Sequence, residues 1–193
     1  MIHFLKSMAS MQASIGKPEG FNYFGTEDYV FDRGVDQTLS VPLTEDERLS
    51  LFRSIDCSGH RFMQKQCFHN AQLLALDNPD LQYVEGYAQG NAIMPVHHAW
   101  LTLNGKLIDL TWRTDKPNHQ GRLSNRILGV IPEGWQYRGI TFSADEIRER
   151  IVNSGETRAF IGDYTRSFPL FRQERVGWEP IPFKTPVELR DNA

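Results

Sequence analysis

With 193 residues, of which 40% are apolar and 23% charged, the chain is long enough to bury a full core and suits one globular domain of ordinary size. A formal charge of -3 and a pI near 6.1 offer no footprint of clustered Lys and Arg, which sets nucleic acid and anionic lipid aside as main partners. No run approaches the ~18 to 20 apolar residues of a membrane span, and Met1 to Gly20 lacks the apolar stretch of a secretory signal. A soluble, cytoplasmic protein is therefore expected, whose two cysteines stay as thiols.

Residues 1 to 43 mix Gly, Ser, aromatic and acidic residues without a sustained period, and predict loops with one short strand near Tyr29 to Phe31. Thr44-Glu45-Asp46-Glu47 places a Thr cap three residues before a Glu, ahead of Leu49, Leu51, Phe52 and Ile55, and predicts a helix over about 45–55 that ends by Ser58-Gly59. Cys67, Ala71, Leu74 and Ala75 fall at i, i+4, i+7 and i+8, one stripe of a buried helix, with Asn78-Pro79-Asp80 as its stop. The β-rich run over 81–88 follows, closed by Gln89-Gly90-Asn91. His98 to Leu103 and Lys106 to Trp112 are strand-like runs around Asn104-Gly105, the strongest short-range hairpin signal. Trp135 to Phe142 predicts another strand, and Ser143-Ala144-Asp145-Glu146 a second capped helix ending near Ser154-Gly155. The expected organisation is one domain over 1–166 with an irregular N-terminal segment, then an extended arm over 167–193. That arm carries Pro169, Pro180, Pro182 and Pro186 among aromatic and Arg residues.

A two-residue Asn-Gly turn fixes the hairpin register: Leu103 opposes Lys106, Trp100 opposes Asp109 and His98 opposes Thr111. His98 and Asp109 then share a face as diagonal neighbours, with Cα atoms roughly 7 to 8 Å apart, a gap that their side chains can close. His97 points the other way, so strand alternation selects His98 from the adjacent pair. An Asp that accepts the Nδ1 proton holds a histidine in one tautomer and leaves Nε2 free to act as a base. Cys67 stands at the predicted start of a helix, where unpaired N–H groups and the helix dipole favour a thiolate.

The series Cys67-Phe68-His69-Asn70-Ala71, Tyr83-Val84-Glu85-Gly86-Tyr87, His98-Ala99-Trp100 and Gly105-Lys106-Leu107-Ile108-Asp109-Leu110-Thr111-Trp112 resembles the transglutaminase-like branch of the papain-like cysteine-protease superfamily, with a fainter echo over Tyr137 to Phe142. Leu110 departs from the Pro that many members carry after the Asp. The resemblance implies an α+β fold in which a nucleophile helix packs on an antiparallel sheet. It also implies a Cys67-His98-Asp109 triad that attacks a carbonyl and forms an acyl-enzyme, on a peptide or protein substrate, with no cofactor or metal. Members include peptidases, transglutaminases, deamidases, amide hydrolases and inactive binding versions, and fold alone does not choose among them. Gln64 and Gln66 both precede the nucleophile, where an amide can join the Cys67 N–H in binding an oxyanion. Gln64 is preferred because a side chain directly beside Cys67 tends to point away. Tyr83, Tyr87 and Trp100 are expected to line the cleft.

Each of these residues also has a plainer reading. A lone cysteine in an apolar helix is by default a small core residue, and Trp100 and Trp112 are more often core or pocket wall than specific ligands. Asn70, one turn after Cys67, reads as structural. Asp56-Cys57-Ser58-Gly59 resembles the nucleophile segment of a family of bacterial cell-wall endopeptidases, but its histidine context differs from His98-Ala99-Trp100. Cys57, His60, Cys67 and His69 offer thiolate and imidazole ligands for zinc in a spacing that fits no common zinc motif. Asp109 lies within an apolar run where burial without a partner is costly, which points back to His98.

Overall fold

A computed structural model describes residues 1–59, 62–91, 93–114, 123, 125–164 and 168–172. The architecture is α+β: five α-helices and a six-stranded antiparallel sheet among these residues. In chain order come α1 (Ile2–Ile15), α2 (Thr26–Arg33), β1 (Val35–Asp36), α3 (Glu45–Ser58), α4 (Cys67–Asp77), β2 (Leu81–Gln89) and β3 (Val96–Leu103). Then follow β4 (Lys106–Asp109), β5 (Ile127–Gly129), β6 (Gln136–Phe142), α5 (Ala144–Ser154) and a 3-10 turn at Pro169–Phe171. Strand order is β1-β6-β2-β3-β4-β5. No helix of the described residues is long and apolar enough to cross a membrane.

The local signals around the middle of the chain hold. Thr44 and Glu47 form a reciprocal capping box at α3, Ser143 and Glu146 form another at α5, and both helices end on a left-handed glycine, Gly59 and Gly155. These caps pair amides that the first turn of each helix leaves without partners. Asn104 and Gly105 both adopt positive φ, 52° and 75°, the twist that a two-residue hairpin needs, and Leu103 opposes Lys106 as the turn dictates.

The N-terminal third differs from expectation. Residues 2–15 form a helix whose buried side chains are only Leu5 and Ala9, so one narrow contact stripe leaves no sustained period in the sequence. Tyr29, Val30 and Phe31 belong to α2 and not to a strand. Their β-favouring side chains are overruled by helical end chemistry: Glu27 and Asp28 sit in the first turn, Arg33 sits in the last, and Asp28 accepts the Phe24 N–H at 3.1 Å. The start of the expected arm is also packed. Leu170 and Phe171 are buried, the Phe171 carbonyl accepts from the Asn22 amide at 2.6 Å, and Phe21 bridges Arg172. Pro180, Pro182 and Pro186 lie outside the described residues, as does His60.

The sheet is covered on both faces. On one, β2 and β3 receive the helices, and Leu51, Ile55, Ala71, Leu74 and Ala75 pack with Tyr83, Ala99, Leu101 and Phe142. On the other, Val84, Ala88, Trp100, Leu107, Ile127 and Tyr137 form a smaller cluster, with Trp112, Ile131 and Trp135 against it. Gly86 and Gly139 oppose each other across β2 and β6 in line with His98. A Cβ on Gly139 would stand 2.6 Å from the Trp100 ring, and one on Gly86 would run into the Arg138 carbonyl. Bare backbone at this point is what lets the second cluster close beside the histidine.

Candidate active site

Strand alternation on β3 sends His97 and His98 to opposite faces, and each meets a buried carboxylate. His98 Nε2 lies 2.7 Å from Asp109 Oδ2, with both residues essentially sealed from solvent. The strand expected to reach Trp112 stops at Asp109, because this carboxylate takes the next two backbone amides: Oδ1 accepts from Thr111 N–H at 2.9 Å and from Trp112 N–H at 3.0 Å. The chain therefore turns out of the ladder after Leu101↔Ile108, and neither Trp100–Asp109 nor His98–Thr111 forms as a cross-strand pair. The diagonal His98–Asp109 contact survives the shortened strand.

The ring is presented the other way round from the sequence expectation. Nε2 faces Asp109, which leaves Nδ1 as the nitrogen that can serve the thiol. Trp112 stacks on the imidazole at 4.7 Å between centroids and 30° between planes, so the ring is held by a carboxylate at one edge and an indole on its face. Burial works against a charged His98, but the Asp109 charge and hydrogen bond, followed by smaller hydrogen-bond and charge contributions from Cys67, raise its pKa to about 10. Burial would likewise raise the Asp109 carboxyl; the His98 charge and hydrogen bond, then the Trp112 and Thr111 amides, overcome this and hold it below the usual range. The pair is thus an imidazolium and a carboxylate at neutral pH.

Cys67 is the first residue of α4 and 8% exposed. Hydrogen-bond and charge contributions from Cys67 are among the causes that raise the His98 pKa, and a bound substrate can tighten such a contact. Gln66, the residue before it, caps no amide with its side chain, so the first N–H groups of α4 stay available. Met63 to Gln66 form a tight turn, Gln66 N–H to Met63 O at 3.4 Å, with Lys65 at φ 62°. Asn70 fastens that turn: its Oδ1 accepts from Met63 N–H at 3.0 Å, and its Nδ2 donates to Met63 O at 2.8 Å and Thr111 Oγ1 at 2.9 Å. The structural reading of Asn70 is met in a specific form, since it ties the turn before the thiol to the loop that feeds Asp109.

Cys67, His98 and Gln64 line one cavity of about 610 Å³. Gln66 does not line it, which favours Gln64 of the two amides. The comparisons with known proteins give no match: no family model, no curated protein and no solved structure pairs with the chain. The site thus rests on its own geometry.

The three aromatic residues expected in the cleft are elsewhere. Tyr83 and Tyr87 are on the helix-covered face; Tyr83 packs on Phe142 and Phe160, and Tyr87 bonds Thr26 and stacks on His97. Trp100 shares the His98 face but is 1% exposed inside the smaller cluster. The aromatic walls of the cavity are Trp112 and Trp135. Tyr137 is the neighbour of Asp109 that the pattern missed: from β6 its hydroxyl donates to Asp109 Oδ2 at 3.1 Å. Burial, then the Asp109 charge and hydrogen bond, raise its pKa well above the usual phenol value. Cys57 is an exposed thiol at the end of α3. His69 Nδ1 engages Thr157 Oγ1 at 2.8 Å, and no group of three or more metal-ligating side chains stands together among the described residues.

Proposed function

We propose that this protein is a cysteine-nucleophile acyl-transfer enzyme of the transglutaminase-like, papain-like type, acting on an amide of a peptide or protein. One observation carries the reading: a thiol at an uncapped helix start shares a cavity with an imidazole whose far nitrogen is fixed by a buried carboxylate. Cys67 Sγ attacks the carbonyl carbon as the thiolate, forming a C–S bond while the carbonyl electron pair moves onto oxygen. The Cys67 N–H and the Gln64 amide donate to that oxyanion. Collapse breaks the C–N bond, and His98 Nδ1 delivers its proton to the departing nitrogen. Water or an amine then attacks the thioester, returns a proton to Nδ1 and releases Cys67 as the thiolate. Asp109 keeps its negative charge throughout and stabilises the imidazolium.

The test is differential alkylation at pH 7 with iodoacetamide, read by peptide mass spectrometry. Cys67 is expected to react faster than the more exposed Cys57, and His98→Ala is expected to slow Cys67 by roughly 100-fold. Equal, slow rates at both thiols, unaffected by His98→Ala, would instead identify a non-catalytic binding protein on the same scaffold.

A further inference from the structure

Across the whole chain acidic residues outnumber basic ones, 24 to 21. The cavity reverses that balance. Its charged lining is Lys65 and Arg113, with His97 and His98 beside them, and no Asp or Glu is among the described residues that line it. The carboxylates behind the two histidines, Asp109 beside His98 and Glu85 beside His97, are fully buried. Lys65 and Arg113 are exposed and take part in no ion pair among the described residues. Both are anchored at the chemistry: Lys65 by the left-handed turn two residues before Cys67, and Arg113 by following the Trp112 amide that binds Asp109. Arg126 donates to the Thr111 carbonyl at 2.6 Å and so braces the backbone that carries Trp112 and Arg113. Trp112 and Trp135, packed edge to face at 5.3 Å, and half-exposed Ile93 supply an apolar wall to the same space.

We infer that the acyl donor is anionic: a peptide that presents a carboxylate to Lys65 and Arg113 and an apolar side chain to Trp112 and Trp135. This rests on the acyl-transfer reading of the same site. Two cations that line one space, unpaired among the described residues, lower the energy of a negative group there and raise its local concentration, while a cationic substrate is repelled. Among the described residues no acidic side chain lines this space to compete for those cations.

The experiment compares alkylation of Cys67 by iodoacetate and iodoacetamide, reagents of similar size that differ by one negative charge, with N-acetylcysteine as the reference thiol. The iodoacetate-to-iodoacetamide rate ratio at Cys67 is expected to exceed that of the reference by about tenfold at low salt and to shrink in 0.5 M NaCl. Lys65→Gln and Arg113→Gln should each reduce the ratio roughly threefold. In a second arm, two peptides protect Cys67 from iodoacetamide, one with an internal Glu and an amidated end, the other with Gln and a free C-terminal carboxylate. The better protector identifies which carboxylate the site takes. If Cys67 resists both reagents, the acyl-transfer reading fails. If Cys67 reacts fast with iodoacetamide but its ratio equals that of the reference, or neither substitution lowers it, the anionic-donor inference is overturned and the acyl-transfer reading stands.

Discussion

Two buried carboxylates sit on opposite faces of one sheet, each beside one of two adjacent histidines, and they do different things. Glu85 on β2 accepts from the Phe160 and Ile161 amides at 2.6 and 2.8 Å and from the Tyr83 hydroxyl at 2.7 Å. His97 Nε2 comes to 2.9 Å of it but lies off the line of a hydrogen bond. That carboxylate is a tie between the sheet and the loop after α5, and its histidine is an accessory. Asp109 also satisfies two backbone amides, but its second oxygen is given to His98 and Tyr137, and the histidine it holds lines one cavity with the Cys67 thiol, which contributes to its raised pKa. A histidine beside a buried acid is therefore not sufficient for a site. What separates the two is where the other ring nitrogen leads.

The strongest way to break this comparison is to remove the supposed tie. Glu85→Leu leaves two amides and a phenol without an acceptor in a dry environment, and is expected to cost about 3–5 kcal/mol in urea unfolding. Under conditions where the variant remains folded, the iodoacetamide rate at Cys67 should stay within about threefold of the parent, because the two networks lie on different faces and share no hydrogen bond. A collapse of that rate in folded protein would show that the faces are coupled.

The next effect assigns a titration to one face. Native protein holds the His98 proton up to about 10, while the unfolded chain releases it near 6.5. The stabilisation from the imidazolium is complete below 6.5. Between 6.5 and 10 the native state carries the extra proton, so stability falls as pH rises, by up to about 1.4 kcal/mol per pH unit. On the acid side the Asp109 contribution is lost as pH drops below the ordinary carboxyl value of 3.8. Urea midpoints across pH 6 to 10 measure the first slope, and His98→Gln should flatten it. An undiminished slope in that variant would place the titrating group elsewhere.

Much of this was legible along the chain because it is local. Two capping boxes, the Asn104-Gly105 reversal and the parity of His97 against His98 each depend on a few consecutive residues, and they locate α3, α5, the hairpin and the face that His98 takes. The same parity, carried one strand further, puts Tyr87 opposite His97 and Tyr83 opposite Leu101, on the face away from His98. No tight turn fixes the β2–β3 register, so the sequence alone did not reveal that these tyrosines point the wrong way. Helix α1 escaped notice because two buried side chains make no period. The choice of ring nitrogen, the depth of Trp100 and the walls at Trp112 and Trp135 depend on how the loop after Asp109 turns, and that is decided by side-chain capture of backbone amides.

Tyr137 is the sharpest instance, because it reaches Asp109 from β6, two positions away from β3 in the sheet. Tyr83 makes the equivalent bond on the other face, from its hydroxyl to Glu85, and also accepts from Gln72. Removing either hydroxyl as Phe deletes one hydrogen bond to a buried charge without creating a large void, so each change should cost about 1–2 kcal/mol in urea unfolding. Their effects on the thiol should part. Tyr137→Phe frees Asp109 Oδ2 to shift relative to His98 and is expected to slow iodoacetamide at Cys67 by roughly threefold to tenfold, less than His98→Ala, since His98 and both amides still hold the carboxylate. Tyr83→Phe should leave that rate unchanged. Equal thiol reactivity in the two variants would mean that Tyr137 only fills space beside the acid, and the contrast between the faces would then rest on His98 and Asp109 alone.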